Sequence, residues 1–300
     1  MIDQGAIARS KRRAGGMRLA SRVLLQFAVT LLALFFLLPL LWLAFSSLSP
    51  NQQLLRWPRP LLPEKLMWDN YPRIWVRYPF AQWFKNTIFL AVNAALGSVV
   101  SNALIAYGFS RIDWRGRNAL FMACLASMML PGAVTQIPLY IVWRKLGVLG
   151  TWLPLTLGAW LGSPYHTFLL VQFFRTIPEE LPDAARVDGC SDLGIFFRIF
   201  LPLCKPALAV AAFFSFRGSW NAVMRPLIYI FKRSMFTLAL GINFMKAELR
   251  SGDRLATGEE QSDWAGMMAG SAIMAIPVMV IFFFTQRMFI EGITFSGIKG

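Results

Sequence analysis

The stretch PDAARVDGCSDLGIFFRIFLP, from Pro182 to Pro202, interrupts a chain that is otherwise mostly apolar. It sets three aspartates, two arginines and two glycines between long runs of Leu, Phe, Ala and Val. Just upstream, Thr176 and Glu179 have the spacing of a capping box, but Pro182 would interrupt a helix begun there. A helix with Pro182 at its first position fits better, because a missing N–H costs nothing at that place. Gly189 then ends the helix after Asp188, since glycine takes the left-handed backbone that helix ends use. Ser191 or Asp192 caps a second short helix, on which Ile195, Phe196, Ile199 and Phe200 share one face, and Pro202 closes it. Helices of two turns are marginal in water, so this pair needs a surface to dock against. Lipid would hold an amphipathic pair, but Asp183, Asp188 and Asp192 would then face an anionic leaflet that repels them. A protein partner fits better. The stretch reads as a handle.

The flanks of the stretch place the chain in the membrane class. Of 300 residues, 56% are hydrophobic and 15% are charged, against about 25% charged for a soluble domain. The net charge of +15 does not indicate nucleic acid, because Lys and Arg are scattered between apolar runs rather than gathered on one face. Basic residues in such places hold spans in orientation and meet anionic headgroups. Cys124, Cys190 and Cys204 lack metal-ligand spacing, and the single His166 completes no zinc site, so no metal is expected. The cysteines read as small apolar fillers.

Bilayer-length apolar runs fall at Val23–Phe45, Asn86–Phe109, Ala119–Val142, Trp152–Phe174, Pro206–Phe231 and Trp264–Ile290. The first could be a signal peptide, with "AFS" at Ala44–Ser46 as a cleavage site, but it exceeds the usual length of about 7–15 residues and reads as a retained anchor. The expected fold is all-α, with six transmembrane helices across residues 23–290. The handle, residues 176–202, joins the fourth to the fifth. A basic tail (1–22) precedes the spans and a short tail (291–300) follows them. Arg9, Lys11, Arg12, Arg13, Arg18 and Arg22, dense before the first span, put both termini and the handle in the cytoplasm. Ala94, Ser98, Asn102 and Ala106 make a small, partly polar stripe, and Gly266 and Gly270 make another. Such stripes bring backbones close, here more readily within the chain than between subunits. Pro131-Gly132 and Pro138 should kink the third span.

Arg217, Asn221 and Arg225 follow each other at fourth-residue spacing in the fifth span, and so would project from one side of a helix. An arginine at mid-bilayer costs roughly 2.5–3.5 kcal/mol on insertion scales, so such residues face a bundle interior or a wet cavity. Two readings stay open. In one, Arg217 serves backbone carbonyls or a partner subunit while Arg225 snorkels outward. In the other, the stripe lines a translocation path with Trp220 and His166 and draws an acidic saccharide. Trp152, Trp160, Tyr165 and Tyr229 could likewise stack on sugars or form interfacial belts. An ion-coupled secondary transporter is the alternative function, but every Asp and Glu lies outside the six spans, leaving no embedded acid for a coupling ion. A membrane enzyme is excluded by the lack of a catalytic cluster. No G-x-x-x-x-G-K-[ST] phosphate cradle occurs.

The handle resembles the signature loop of inner-membrane subunits of binding-protein-dependent ABC importers. That pattern runs Glu-Ala-Ala, three residues, Gly, nine residues, Ile, any residue, Leu-Pro. Here it is Asp183-Ala184-Ala185, three residues, Gly189, nine residues, Ile199, Phe200, Leu201-Pro202. The one departure, Asp183 for Glu, keeps the charge and shortens the reach by a methylene. "QWFKNT" (82–87), "MLPGAVTQIPLY" (129–140), "WNAVMRPL" (220–227) and the closing "GIKG" (297–300) resemble the maltose-type carbohydrate branch. The resemblance implies a permease forming half of an oligosaccharide path in a bacterial inner membrane, working by alternating access. It implies a coupling helix, carrying the signature residues and Asp188, seated on an ATPase subunit, with Gly297, Lys299 and Gly300 near the ATPase pair. It also implies a second permease subunit, two ATP-binding subunits and an extracytoplasmic solute-binding protein. ATP and Mg would then be bound by the partner, with no cofactor and no catalysis on this chain. The outer segments Ser46–Lys85, with six prolines, and 232–263 are candidates to receive the binding protein.

Overall fold

A computed structural model describes residues 4–251 and 263–294, with side chains over 21–249 and 263–289. Gly297, Lys299 and Gly300 lie outside the described residues, as do Asp253, Glu259 and Glu260 of the second outer segment. In chain order the helices are α1 (Gln4–Ser47), α2 (Asn51–Leu55), α3 (Asn70–Arg77), α4 (Phe80–Arg111) and α5 (Arg117–Ser127). There follow α6 (Gly132–Lys145), α7 (Leu153–Trp160), α8 (Pro164–Arg175), α9 (Glu180–Val187) and α10 (Asp192–Ile195). The last are α11 (Leu201–Leu203), α12 (Lys205–Trp220), α13 (Met224–Tyr229), α14 (Leu238–Ser251) and α15 (Trp264–Thr294). Among the described residues there is no strand. The all-α expectation holds.

The expected spans divide into continuous and broken ones. Ser21–Ser47, Phe80–Arg111 and Trp264–Phe289 are each long and apolar enough to cross a membrane unaided, which needs about 20 residues. The third expected span is not a kinked helix but two, α5 and α6, set at 104°. The break comes at Met128–Pro131, and Pro138 sits inside α6 without ending it. The fourth is also interrupted: α7 stops at Trp160, Gly162 takes φ +85°, and α8 restarts on Pro164. The fifth stops at Trp220 and resumes at Met224, so Arg217, Asn221 and Arg225 do not share one helix face. Counting α5 with α6 as one span, and Asp192–Leu203 with Lys205–Trp220, bent by 79°, as another, the described residues hold up to five that pass on length and composition.

The described residues form two compact units, one of residues 4–70 with 263–272 and one of residues 71–251 with 273–294. Within the first, side-chain amides hold the turns after α1. The Gln53 amide donates to the Leu62 carbonyl at 2.7 Å and accepts from the Glu64 N–H at 3.0 Å. Buried Asn70 donates to the Ser47 and Ser49 carbonyls at 2.9 and 3.1 Å. Each amide ties off backbone groups that the turns leave open.

The second unit is built around α4, against which α7, α8, α12 and α14 pack. The stripe does this work inside the chain: Ala94, Ser98, Asn102 and Ala106 are all buried. Asn102 meets the break between α7 and α8. Its carbonyl accepts from the Ser163 N–H at 2.7 Å and the Thr167 hydroxyl at 2.9 Å, while its amide donates to the Ser98 carbonyl at 2.6 Å. Ser101 donates to the Ala159 carbonyl across the same contact at 3.0 Å. Gly97 leaves room for Trp160, whose indole would stand 3.0 Å from any Cβ placed there. Inside a bilayer no water can take over these bonds, so an interrupted helix survives only where side chains supply them. Replacing Asn102→Leu keeps the volume but orphans Ser163 and Thr167, and should cost about 2 kcal/mol. A thermal unfolding midpoint unchanged from wild type in detergent would contradict this assignment.

Candidate functional site

The handle folds as two short helices, with differences in detail that have local causes. α9 begins at Glu180, so Pro182 is its third residue and is buried rather than opening the helix. Glu180 and Asp183 thereby occupy the first turn, where acidic groups complement the helix dipole. Thr176 starts nothing: its hydroxyl donates back to the Phe173 carbonyl at 2.7 Å, closing α8. At the other end, Gly189 has φ +82°. Its N–H donates to the Arg186 carbonyl at 3.0 Å and the Cys190 N–H to the Ala185 carbonyl at 2.9 Å, the two bonds of a Schellman turn. Ser191 then caps α10, its hydroxyl accepting from the Gly194 N–H at 3.2 Å.

Beyond α10 the backbone widens into a π turn over Phe196–Phe200, with the Leu201 N–H reaching back to the Phe196 carbonyl. Pro202 has no N–H to hold the tighter register, and a π turn ahead of it absorbs the loss. The helix therefore passes through Pro202, and the bend comes at Cys204. The inner face matches the expectation. Ile195, Phe196 and Phe200 are buried, and Ile199 packs beside them, against Tyr107, Phe121, Leu170, Phe174, Cys204 and Ala207.

The outer face of the handle is open. Val187 is 88% exposed, and Leu193 and Phe197 are exposed with it. The three aspartates play different parts. Asp183 and Asp192 both grip Arg186, at 2.9 and 3.4 Å, which braces α9 to α10. The exposed Asp188 carboxylate has no ion pair or hydrogen bond among the described residues. The Arg186 brace escaped the sequence reading, though the three-residue separation from Asp183 was a usable signal. Arg111, the last residue of α4, was also missed: it donates to the Phe174 and Ile177 carbonyls and stands 3.6 Å from Glu179.

The candidate path residues fall in unlike settings. Arg217 and Arg225 are exposed on α12 and α13, and Asn221 ends α12, its N–H donating to the Arg217 carbonyl at 3.1 Å. Trp220 is fully buried, stacked on Phe216 with centroids 5.4 Å apart, and donates its indole N–H to the Met274 carbonyl at 3.0 Å. His166 sets Nδ1 3.4 Å from the Ser98 hydroxyl. No hydrogen bond or ion pair joins it to Arg217, Asn221 or Arg225 among the described residues.

The QWFKNT motif has a structural task at the opposite end of α4 from the handle. Trp83 donates to the Arg233 carbonyl at 3.1 Å, and Asn86 to the Ser234 and Phe236 carbonyls at 2.9 and 3.0 Å. The Thr87 hydroxyl accepts from the Leu238 N–H at 2.7 Å, and Gln82 braces the Asn86 carbonyl at 2.9 Å. The Trp83 indole lies against Gly241, where a side chain would collide with it. Residues 233–238 are thus clamped to α4.

Residues 100–294 match the family described as binding-protein-dependent transport system inner membrane component. The chain belongs to that family. The arabinooligosaccharides transport system permease protein AraQ of Halalkalibacterium halodurans is 31% identical over 280 residues, 92% of this chain and 96% of that protein. The sn-glycerol-3-phosphate transport system permease protein UgpE of Pectobacterium atrosepticum is 30% identical over 287 residues, 94% of this chain and 97% of that one. The fold matches a chain from the crystal structure of a bacterial ABC transporter involved in the import of the acidic polysaccharide alginate. The TM-score is 0.76 at 24% identity, over 93% of this chain and 97% of that one.

As a member of this family the chain is a non-catalytic permease subunit of an ABC importer, resident in the inner membrane. The absence of a phosphate cradle from its sequence agrees with ATP being used by a partner. Gly189→Val forces a branched side chain into a left-handed backbone, which costs about 2 kcal/mol. Amide hydrogen exchange at Cys190 should speed accordingly; wild-type exchange would show that the Schellman turn does not depend on glycine.

Proposed function

We propose that this chain forms half of the path by which an ATP-driven importer carries an oligosaccharide, and that the handle is its seat on an ATP-binding subunit. One observation carries the reading. The signature stretch buries Ile195, Phe196 and Phe200 beneath itself and turns Val187, Leu193, Phe197 and Asp188 outward, exposed among the described residues. Singly exposed apolar residues need no partner, but three beside an unpaired carboxylate on a rigid, capped pair of helices suit a groove on another protein.

The full assembly in this reading has a second permease subunit, two ATP-binding subunits and an extracytoplasmic solute-binding protein. ATP and Mg belong to the ATP-binding pair. Six spans cross the bilayer: α1, α4, α5 with α6, α7 with α8, α12 with α13, and α15. Both termini and the handle lie in the cytoplasm, and the closing residues Gly297, Lys299 and Gly300 lie near the ATPase pair. ATP-driven closure swings the spans between inward- and outward-open forms. An oligosaccharide substrate is supported by relatives such as the arabinooligosaccharide permease. Arg217 and Arg225, exposed either side of the break after Trp220, suit an acidic one. Binding protein docks on the outer segments, Ser46–Lys85 and 232–263.

The test is affinity purification of the tagged chain from its own membranes. Wild type should bring down an ATP-binding subunit in equal amount, and Asp188→Lys at least about tenfold less, with an unchanged unfolding midpoint. Equal recovery with the variant would remove the handle from the interface, and no ATP-binding subunit with wild type would overturn the reading as a whole.

A further inference from the structure

Arg111 lies where three parts of the second unit meet. It is the last residue of α4, and its side chain is only 7% exposed. Its guanidinium donates to the Phe174 and Ile177 carbonyls, at the closing end of α8 and in the strap that leads into α9. The Phe174 carbonyl also takes a turn bond of 3.3 Å from the Ile177 N–H, and a cation at a helix C-terminus meets the negative end of its dipole. The same group stands 5.1 Å over the Phe200 ring of the handle's second helix and 3.6 Å from Glu179 at the head of its first. One turn earlier on α4, Tyr107 packs on Phe196 and Phe200 with centroids 5.2 and 5.1 Å apart. The end of α4 is therefore fastened to both handle helices at once.

α4 is also the helix able to carry a displacement across this unit. It runs 32 residues without proline or break, about 48 Å at 1.5 Å per residue. Beside it, the counterpart spans α5 with α6, α7 with α8 and α12 with α13 are all interrupted. Its far end holds residues 233–238 through Trp83, Asn86 and Thr87.

We propose that Arg111 is the positioning residue through which α4 follows the handle, and that α4 transmits the handle's movement to the clamped 233–238 segment at its other end. This rests on the reading of the handle as the seat of an ATP-binding subunit. A side chain that only capped α8 would need neither the Phe200 ring beneath it nor a neighbour bonded at the far end of the same helix. Lysine would keep the charge and the ring contact but offers no planar fork to hold two carbonyls together.

The experiment is hydrogen–deuterium exchange on the intact purified importer, with and without Mg·ATP and vanadate. In wild type, trapping nucleotide should change exchange both at 180–203 and at 232–238. In Arg111→Gln the change at 180–203 should remain, while that at 232–238 falls at least about fivefold, the lower end of common coupling factors. Arg111→Lys should restore part of it. If Arg111→Gln fails to assemble, Phe200→Leu, which removes the ring and keeps an apolar side chain, decides the matter with a fall of about threefold. A full response at 232–238 in Arg111→Gln, or in Phe200→Leu if that variant must stand in, overturns the proposal. So does a wild-type complex that responds at the handle but not at 232–238. A wild-type handle that does not respond at all would instead bring down the docking reading, and this inference with it.

Discussion

A helix that breaks inside a bilayer must find partners for its open N–H and C=O groups among side chains, because no water is there to help. This chain meets that constraint with one uninterrupted helix. α4 lends Asn102 and Ser101 to the gap between α7 and α8, and Arg111 to the end of α8. Its small residues, Gly97 among them, let the neighbouring helices approach closely enough for those bonds to form. The broken helices can then be irregular, as a transport path requires, without leaving polar backbone in lipid.

The handle obeys a different constraint, that of a short helix pair which cannot hold its shape alone. It is fixed by a Schellman turn at Gly189, a serine cap at Ser191, the Arg186 brace between Asp183 and Asp192, and an apolar face sunk into the core. Each is a modest contribution, yet together they leave one side rigid and open. If the handle is the seat of an ATP-binding subunit, as proposed, it has to resist deformation, and Arg111 fastens it to the helix that would carry the push. Stability at the inner face and coupling to the far end of α4 are, in this account, the same contacts.

Much of this was legible in the residues, and the failures share a cause. The handle's helices, its terminating glycine and its buried Ile195, Phe196 and Phe200 followed from turn chemistry and spacing. The Ala94–Ser98–Asn102–Ala106 stripe pointed correctly to packing within the chain. Span reading went wrong at 128–131, 161–163 and 221–223, because summed hydropathy measures how apolar a run is and not where its hydrogen-bond ladder stops. Gly162-Ser163-Pro164 carried the needed signal, a left-handed glycine followed by a proline suited to a helix start. The Arg217–Asn221–Arg225 stripe failed with the helix that was meant to carry it. Arg111 carried no local signal, since its carbonyl partners lie more than sixty residues away.

On the proposed mechanism, a folded pair of helices between the fourth and fifth spans delivers the work of an ATPase to helices that hydrolyse nothing. A photo-crosslinking amino acid at Val187, the most exposed apolar position of the pair, tests it most directly in intact membranes. Docking of the handle requires a covalent product between this chain and an ATP-binding subunit. Crosslinks to lipid alone, or to no protein, would contradict it.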